Sequence, residues 1–312
     1  MRAFIFPGQG SQAVGMGKTL AEAFAPAREV FQEVDDALNQ RLSRLMWEGP
    51  ESELTLTENT QPAVMAASLA LFRVLEQAGG LDLGKHARLV AGHSAGEYAA
   101  LCAAGAFTLS DTARLLRIRG RAMQDAAPVG AGAMTALLGI EMALVEEACQ
   151  EASAVGIVVV ANDNAPGQIV ISGATRAVEK AAEIAKTKGA KRAIPLAVST
   201  PNHSPLLEPA TETMRAALAR ITIRPTAVPL VSNVTAAAVA DPDSIRRLLV
   251  QQLTARVRWR ESVAAFRGLG AAMTVEVSGN KVLTGMVKRI DRELEPVTLD
   301  SPADIEAFAK TL

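Results

Sequence analysis

The chain has 312 residues, 49% of them hydrophobic, with 32 Lys and Arg against 33 Asp and Glu for a formal net charge of −1. That length and apolar content suffice for one large domain, or a large domain with an insert, around a substantial core, and a net charge so near zero argues against nucleic acid as the main partner. Two cysteines, Cys102 and Cys149, both in Ala-rich helical surroundings, read as buried thiols of a reducing compartment. No apolar run is long enough to cross a bilayer, and Pro7 and Gly8 break any leader-like start, so a cytoplasmic protein is expected.

The first expected element is a short strand over Arg2 to Phe6, running into Pro7, Gly8, Gln9, Gly10, Ser11 and Gln12. Glycines on both sides of Gln9 let main-chain N–H groups approach a ligand, and the first strand of an α/β sheet delivers such a loop to the carboxyl edge where sites form. The loop can complete an oxyanion hole; neither the dinucleotide fingerprint nor the lysine-bearing phosphate loop fits it. His86 lies in a polar stretch, Gly84 to Arg88, and reads as a surface histidine.

The next apolar run ends at Leu89, Val90 and Ala91, followed by Gly92, His93, Ser94, Ala95 and Gly96 and a helix-compatible stretch from Glu97 to Ala104. Strand, turn and helix with a serine at the bend form a nucleophile elbow, whose sharp turn needs glycine on either side and exposes the hydroxyl. An ordinary tight turn is the alternative. On so sharp a turn neighbouring side chains diverge, so His93 is expected to pack behind the elbow rather than take the proton of Ser94.

Ser110 can cap a helix from Asp111 to about Ala126. At about 100° per residue Arg119 shares the apolar face of Thr112, Leu115, Leu116, Met123 and Ala126, whereas Arg114, Arg117 and Arg121 fall on the opposite, solvated face. A guanidinium in an apolar stripe is costly unless an anion meets it. Arg119 is therefore either a fork for a substrate carboxylate, or paired with an internal carboxylate, or snorkelling out of the stripe.

From about Gly132 the pattern becomes strand (Met134 to Leu138), helix (Glu141 to Ser153), strand (Ile157 to Ala161), an Asn- and Gly-rich turn (Asn162 to Gly167), strand (Gln168 to Ser172), helix (Thr175 to Lys188) and strand (Ala193 to Val198). That order is the β-α-β-β-α-β of a ferredoxin-like unit. The expected organisation is an α/β fold: a large α/β-hydrolase-like domain with a parallel sheet over 1–127 and 199–312, and an inserted ferredoxin-like subdomain over 128–198. The active site then falls in the cleft between them. Low-complexity tracts, long repeats and metal-ligand clusters are absent from the sequence. Lys186, Lys188, Lys191 and Arg192 form its densest basic cluster, which on position alone reads as a solvated helix end that complements the dipole.

Three histidines are present, and a serine needs a base near neutral pH. His203 stands in a loop bounded by Pro201 and Pro205 after the last strand of the small unit, where catalytic side chains tend to sit; the alternative is a loop histidine satisfied by solvent.

FPGQGSQ at 6–12, GHSAGEYAAL at 92–101, RGRAMQ at 119–124, NHSPLL at 202–207, SNVTA at 232–236, QQL at 251–253 and KVLTG at 281–285 together resemble the malonyl-CoA:acyl carrier protein transacylase family, in that family's order along nearly the whole chain. The resemblance implies that Ser94 is the acylated nucleophile, His203 its base and Arg119 the clamp on the malonyl carboxylate. It also implies that Gln9 and Ala95 donate the oxyanion-hole N–H groups and that the main-chain carbonyl of Gln252 orients the histidine, so no aspartate is needed. Asn202 stands where related acyltransferases often carry Phe or Ser, a position that bears on which acyl group fits. Ser278, Gly279 and Asn280 replace the family's common glycine and proline combination. The implied partners are malonyl-CoA and an acyl carrier protein, whose usual acidity makes the cluster of Lys186, Lys188, Lys191 and Arg192 a candidate docking patch, with no metal or cofactor beyond the carrier's phosphopantetheine, and a monomer is expected. The other functions in play are a serine thioesterase or esterase, a non-catalytic carrier-protein or CoA-binding module, and an acyltransferase for methylmalonyl in a polyketide pathway.

Overall fold

The computed structural model of the protein describes residues 1–128, 130–198, 200–278 and 281–312. Gly279 and Asn280, named above, lie outside them.

Among the described residues the larger sheet comprises β1 (Arg2–Phe6), β2 (Ala87–Gly92), β7 (Leu230–Val231), β8 (Ala238–Val239), β9 (Met273–Val277) and β10 (Glu295–Leu299). Their order across the sheet is β10-β9-β1-β2-β7-β8. β1 pairs in parallel with β2 and β9, β9 with β10 and β2 with β7; only the edge strand β8 runs antiparallel. Strands buried on both faces read as near-continuous apolar runs, as β1 and β2 do. Phe4, Phe6 and Val90 join the core on one face, and Ala3, Ile5, Leu89 and Ala91 the core on the other, which is the period-two alternation of a pleated strand.

This register places the site. Phe6 lies opposite Gly92, and His93 donates its N–H to the Phe6 carbonyl at 2.9 Å. The loop after β1 and the turn after β2 therefore emerge side by side at the carboxyl edge.

The smaller sheet comprises β3 (Gly132–Leu138), β4 (Val158–Ala165), β5 (Gln168–Ala174) and β6 (Arg192–Pro195), all antiparallel in the order β4-β5-β3-β6. Helices Met142–Ala152 and Thr175–Thr187 join β3 to β4 and β5 to β6. They cover one face through Val145, Ala148, Val178 and Ala181 against Leu137, Val158 and Ile171. The other face, with Met134 and Val170 beside Leu196 and Val198, looks into a cleft.

The expected turn over Asn162 to Gly167 is mostly strand. β4 continues through Ala165, with register shifts at Val160/Asn162 and Asp163/Ala165, and only Pro166 and Gly167 turn. Tertiary partners outweigh the turn preference of these residues. Asp163 donates its N–H to the Val257 carbonyl at 2.9 Å and its buried carboxylate meets Arg260 at 2.8 Å. β6 ends at Pro195 rather than Val198, and Leu196 donates one further bond to the Met134 carbonyl at 2.9 Å.

The helix expected from Asp111 begins two residues earlier, as Leu109–Ala126, and its cap is Thr108, whose hydroxyl accepts from the Asp111 N–H at 3.0 Å. Ser110 instead donates its hydroxyl to Glu33 at 2.7 Å. Arg114 and Arg121 are exposed as the helical wheel predicts, but Arg117 is buried, bonded to Asn59 at 3.0 Å and to Gln40. The long helix Thr57–Gln77 crosses there, and Gly120 sits so close to Glu58 that a Cβ would clash with its main chain. Among the described residues no helix is long and apolar enough to cross a membrane.

Candidate active site

Ser94 sits between β2 and the helix Gly96–Ala103 with a left-handed φ of 52°. The flanking glycines are required by close approach. A Cβ at Gly92 would strike the main chain of Gly96, one at Gly96 the carbonyl of Phe6, and one at Gly8 the carbonyl of His93. The strained serine persists because its surroundings fix it. Its N–H donates to Asn233 Oδ1 at 2.7 Å, and Asn233 Nδ2 donates to the Gly92 carbonyl at 2.7 Å, so one side chain staples both ends of the turn.

His203, with φ 58° and 2% exposed, brings Nε2 to 2.7 Å from Ser94 Oγ, while its Nδ1 lies 2.8 Å from the Gln252 carbonyl. A carbonyl only accepts, so Nδ1 carries the proton and the Nε2 lone pair faces the serine hydroxyl. Burial first, and the Arg119 cation second, push the imidazole down to about 3. It is neutral throughout the neutral range.

Arg119 is the third group at this point. It is 1% exposed, and its Nη2 donates to Ser94 Oγ at 3.2 Å and to Gln252 Oε1 at 3.0 Å, its Nη1 to Gln61 Oε1 at 2.8 Å. The guanidinium carbon lies 5.7 Å from the Tyr98 ring centroid, a cation–π contact. Every direct partner is uncharged. It does not snorkel, and among the described residues it touches no carboxylate.

Of the other residues singled out, Gln9 donates its side-chain amide to Thr57 Oγ1 at 3.2 Å and lines the cleft. Among the described residues the N–H groups of Gln9 and Ala95 meet no acceptor within the chain. Asn202 is buried, bonded to Thr200, and lines the same cleft. His93 does not reach the serine hydroxyl, but it is in the cleft rather than behind the elbow, with Nε2 2.8 Å from Asn164 Oδ1 and its ring edge-on to Trp259. His86 is remote, accepting from the Asp82 N–H at 3.1 Å. Cys102 and Cys149 are free thiols, pushed up by burial to about 11 and about 12. Lys188 of the basic cluster is engaged by Glu147 and Glu151 at 2.9 Å each, leaving Lys186, Lys191 and Arg192 exposed.

The cleft is lined by Ser94, His203, Gln9 and Asn202, together with Met134, Val170, Leu196 and Val198 and with Val282, Leu283 and Met286. Sequence reasoning missed Gln61, Glu97, Asn164 and Asn233 here. Glu97 and Asn233 stand inside the quoted GHSAGEYAAL and SNVTA segments; Gln61 is a buried amide in a helix whose buried residues also include Thr57, Asn59, Thr60 and Ser68. Asn164 carried no signal beyond its presence in an expected turn. Among the described residues no cluster of His, Cys, Asp and Glu could hold a metal ion.

A hydroxyl shared by a neutral imidazole and a buried guanidinium is equipped for acyl transfer through an ester. The acyl transferase domain family matches residues 3–301. The malonyl CoA-acyl carrier protein transacylase of Escherichia coli (strain K12) is 44% identical over 98% of this chain and 97% of that protein. An acyl-carrier-protein S-malonyltransferase from Bartonella henselae has a crystal structure that matches with a TM-score of 0.97 and 52% identity, covering 99% of this chain and 98% of that one. A malonyl-transacylase solved in complex with a type II polyketide acyl-carrier protein matches with a TM-score of 0.96 and 40% identity over 100% of this chain and 99% of that one. The chain belongs to the acyl transferase domain family and, within it, to the malonyl CoA-acyl carrier protein transacylases.

Proposed function

We propose that the protein transfers malonyl from malonyl-CoA to the phosphopantetheine thiol of an acyl carrier protein, through a malonyl ester on Ser94, in supply of fatty acid synthesis. The observation that carries this reading is the Arg119 guanidinium 3.2 Å from the Ser94 hydroxyl, fully buried and bonded only to neutral groups. Such a cation is made for an anionic acyl group.

Ser94 Oγ attacks the thioester carbonyl as its proton passes to His203 Nε2. The oxyanion that develops is held by the N–H groups of Gln9 and Ala95, worth about 3 to 4 kcal/mol per donor in comparable sites. Collapse breaks the C–S bond, and the CoA sulfur leaves with the proton from His203. In the second half His203 takes the proton of the carrier's thiol, the sulfur attacks the ester carbonyl, and Ser94 Oγ departs and is reprotonated. The Gln252 carbonyl keeps the imidazole in the required tautomer, a role taken by a carboxylate in other acyl-transfer sites. When the malonyl carboxylate meets Arg119, the cation's depressing effect on His203 is offset, so the acid-bearing substrate makes its own base stronger. Asn202 beside the histidine bounds the space for the acyl group.

The chemistry uses no metal or organic cofactor beyond the CoA and phosphopantetheine of its substrates. We read 1–127 and 199–312 as an α/β-hydrolase-like catalytic domain and 128–198 as a ferredoxin-like insert, on the strand orders described above. A monomer working in the cytoplasm is proposed, with Lys186, Lys191 and Arg192 as the docking patch for the acidic carrier.

Acetyl lacks the carboxylate and leaves the guanidinium unpaired, which rejects it. Arg119→Ala is expected to lose malonyl preference and gain acetyl or longer-acyl transfer in a competition among the acyl-CoAs. Unchanged malonyl selectivity would refute the clamp.

A further inference from the structure

Glu97 is a buried carboxylate beside the nucleophile, and the transfer steps above do not use it. It lies in the first turn of the helix Gly96–Ala103, three residues after Ser94, and is 1% exposed. One carboxylate oxygen accepts the Asn233 N–H at 2.9 Å; the other accepts from Gln252 Nε2. Those two partners hold the rest of the site. Asn233 staples the turn through the Ser94 N–H and the Gly92 carbonyl. Gln252 donates the same amide nitrogen to the Ser94 carbonyl at 3.1 Å, receives Arg119 on its Oε1 at 3.0 Å, and orients His203 with its main-chain oxygen at 2.8 Å. Arg119, whose direct partners are all neutral, thus has a carboxylate one amide away, relayed through Gln252.

We propose that Glu97 is a positioning residue of the transfer reaction: its carboxylate fixes the Gln252 and Asn233 segments against the elbow and, through them, sets His203 and Arg119 relative to Ser94. The inference rests on the malonyl-transfer reading. Both partner groups are N–H donors, so only a group with two acceptor oxygens satisfies them. A glutamine would turn an NH2 against one of them and leave a buried donor unpaired.

Ionisation of this carboxyl therefore matters to the rate. The charged and titratable groups around it are Arg119 on the facing helix, His203 on its loop and Tyr98 on its own helix; Ser232, Asn233 and Gln252 are neutral. His203 stays neutral, and burial pushes Tyr98 up to about 12, so neither titrates near neutrality. Burial raises Glu97 to about 7 against the pull of its donors and Arg119. The site is correctly held above that pH and loosens below it.

The test is rapid-quench intact-mass kinetics of malonyl-enzyme formation from malonyl-CoA between pH 5.5 and 8.5, on wild type, Glu97→Gln and Glu97→Asp, with circular dichroism to establish folding. Expected for Glu97→Gln is a rate at pH 8 lower by about 10²-fold, with no acid limb near neutrality. Glu97→Asp should retain the limb at a displaced pH with a partly restored rate. A Glu97→Gln enzyme with wild-type rate and limb overturns the proposal; if that variant does not fold, a Glu97→Asp enzyme with wild-type rate and an unmoved limb does so. Absence of a malonyl adduct on wild type overturns the functional reading itself, and the role of Glu97 with it.

Discussion

The two sheets bury different things. Beneath its helices the four-stranded unit has an apolar interior in which Leu137, Val145, Val158, Ile171 and Val178 do the packing, its buried Asn162, Asp163 and Asn164 lying together at the end of β4. The six-stranded unit packs two apolar cores, one of which takes in Ala165 from β4, yet at its carboxyl edge it also buries Glu97, Arg119, His203, Asn233 and Gln252. Burying polar groups costs free energy that hydrogen bonds recover only when every partner is in place. The small unit is thus a stabilising wall of the cleft, while the edge of the large sheet gives up some stability to hold chemistry in a fixed arrangement.

Asn233→Ala sharpens this contrast most. It leaves the Ser94 N–H and the Gly92 carbonyl without their partner, so we expect stability to fall by about 2–4 kcal/mol and malonyl-enzyme formation, measured on folded protein, to slow by about 10²-fold. Ile171→Ala is the counterpart in the small unit. A buried side chain truncated in an apolar core should cost about 3 kcal/mol in chemical denaturation, with the malonylation rate of folded enzyme unchanged. A slow Ile171→Ala enzyme would break the division of labour between the sheets.

The pH dependence of stability separates them further. Glu97 is raised in the folded protein to about 7 from an ordinary 4.5, so the native state binds its proton more tightly and the stability this contributes is lost as pH rises through about 7. His203 works in the opposite sense: its folded value of about 3 lies below the ordinary 6.5, and stability is lost as pH falls below about 6.5. Glu97→Gln removes only the first effect. Its stability relative to wild type should improve by about 2–3 kcal/mol between pH 5 and pH 8, read from denaturation midpoints; a constant difference would mean that Glu97 does not titrate in this range.

The same contrast explains what the sequence disclosed. Strands β1 and β2, the serine at the bend, the arginine in an apolar stripe and the alternation of the small unit all follow from local periodicity and glycine placement, which one segment carries by itself. The role of Gln61, Glu97 and Asn233 depends on pairing across 58, 155 and 139 positions respectively, and nothing local announces such partners. Arg117 shows the reverse case: its helical position predicts a solvated face, and a crossing helix with Asn59 and Gln40 buries it. Asn162, Asp163 and Asn164 read as a turn because their intrinsic preference is for turns; Val257, Arg260 and His93 hold them in a strand.

The most direct test of the account is intact mass after brief incubation with malonyl-CoA on wild type and Ser94→Ala, followed by addition of holo carrier protein. A malonyl adduct on wild type, absent from Ser94→Ala and discharged to the carrier, is the predicted result. Free malonate accumulating with no discharge to carrier, or an adduct that persists in Ser94→Ala, would contradict it.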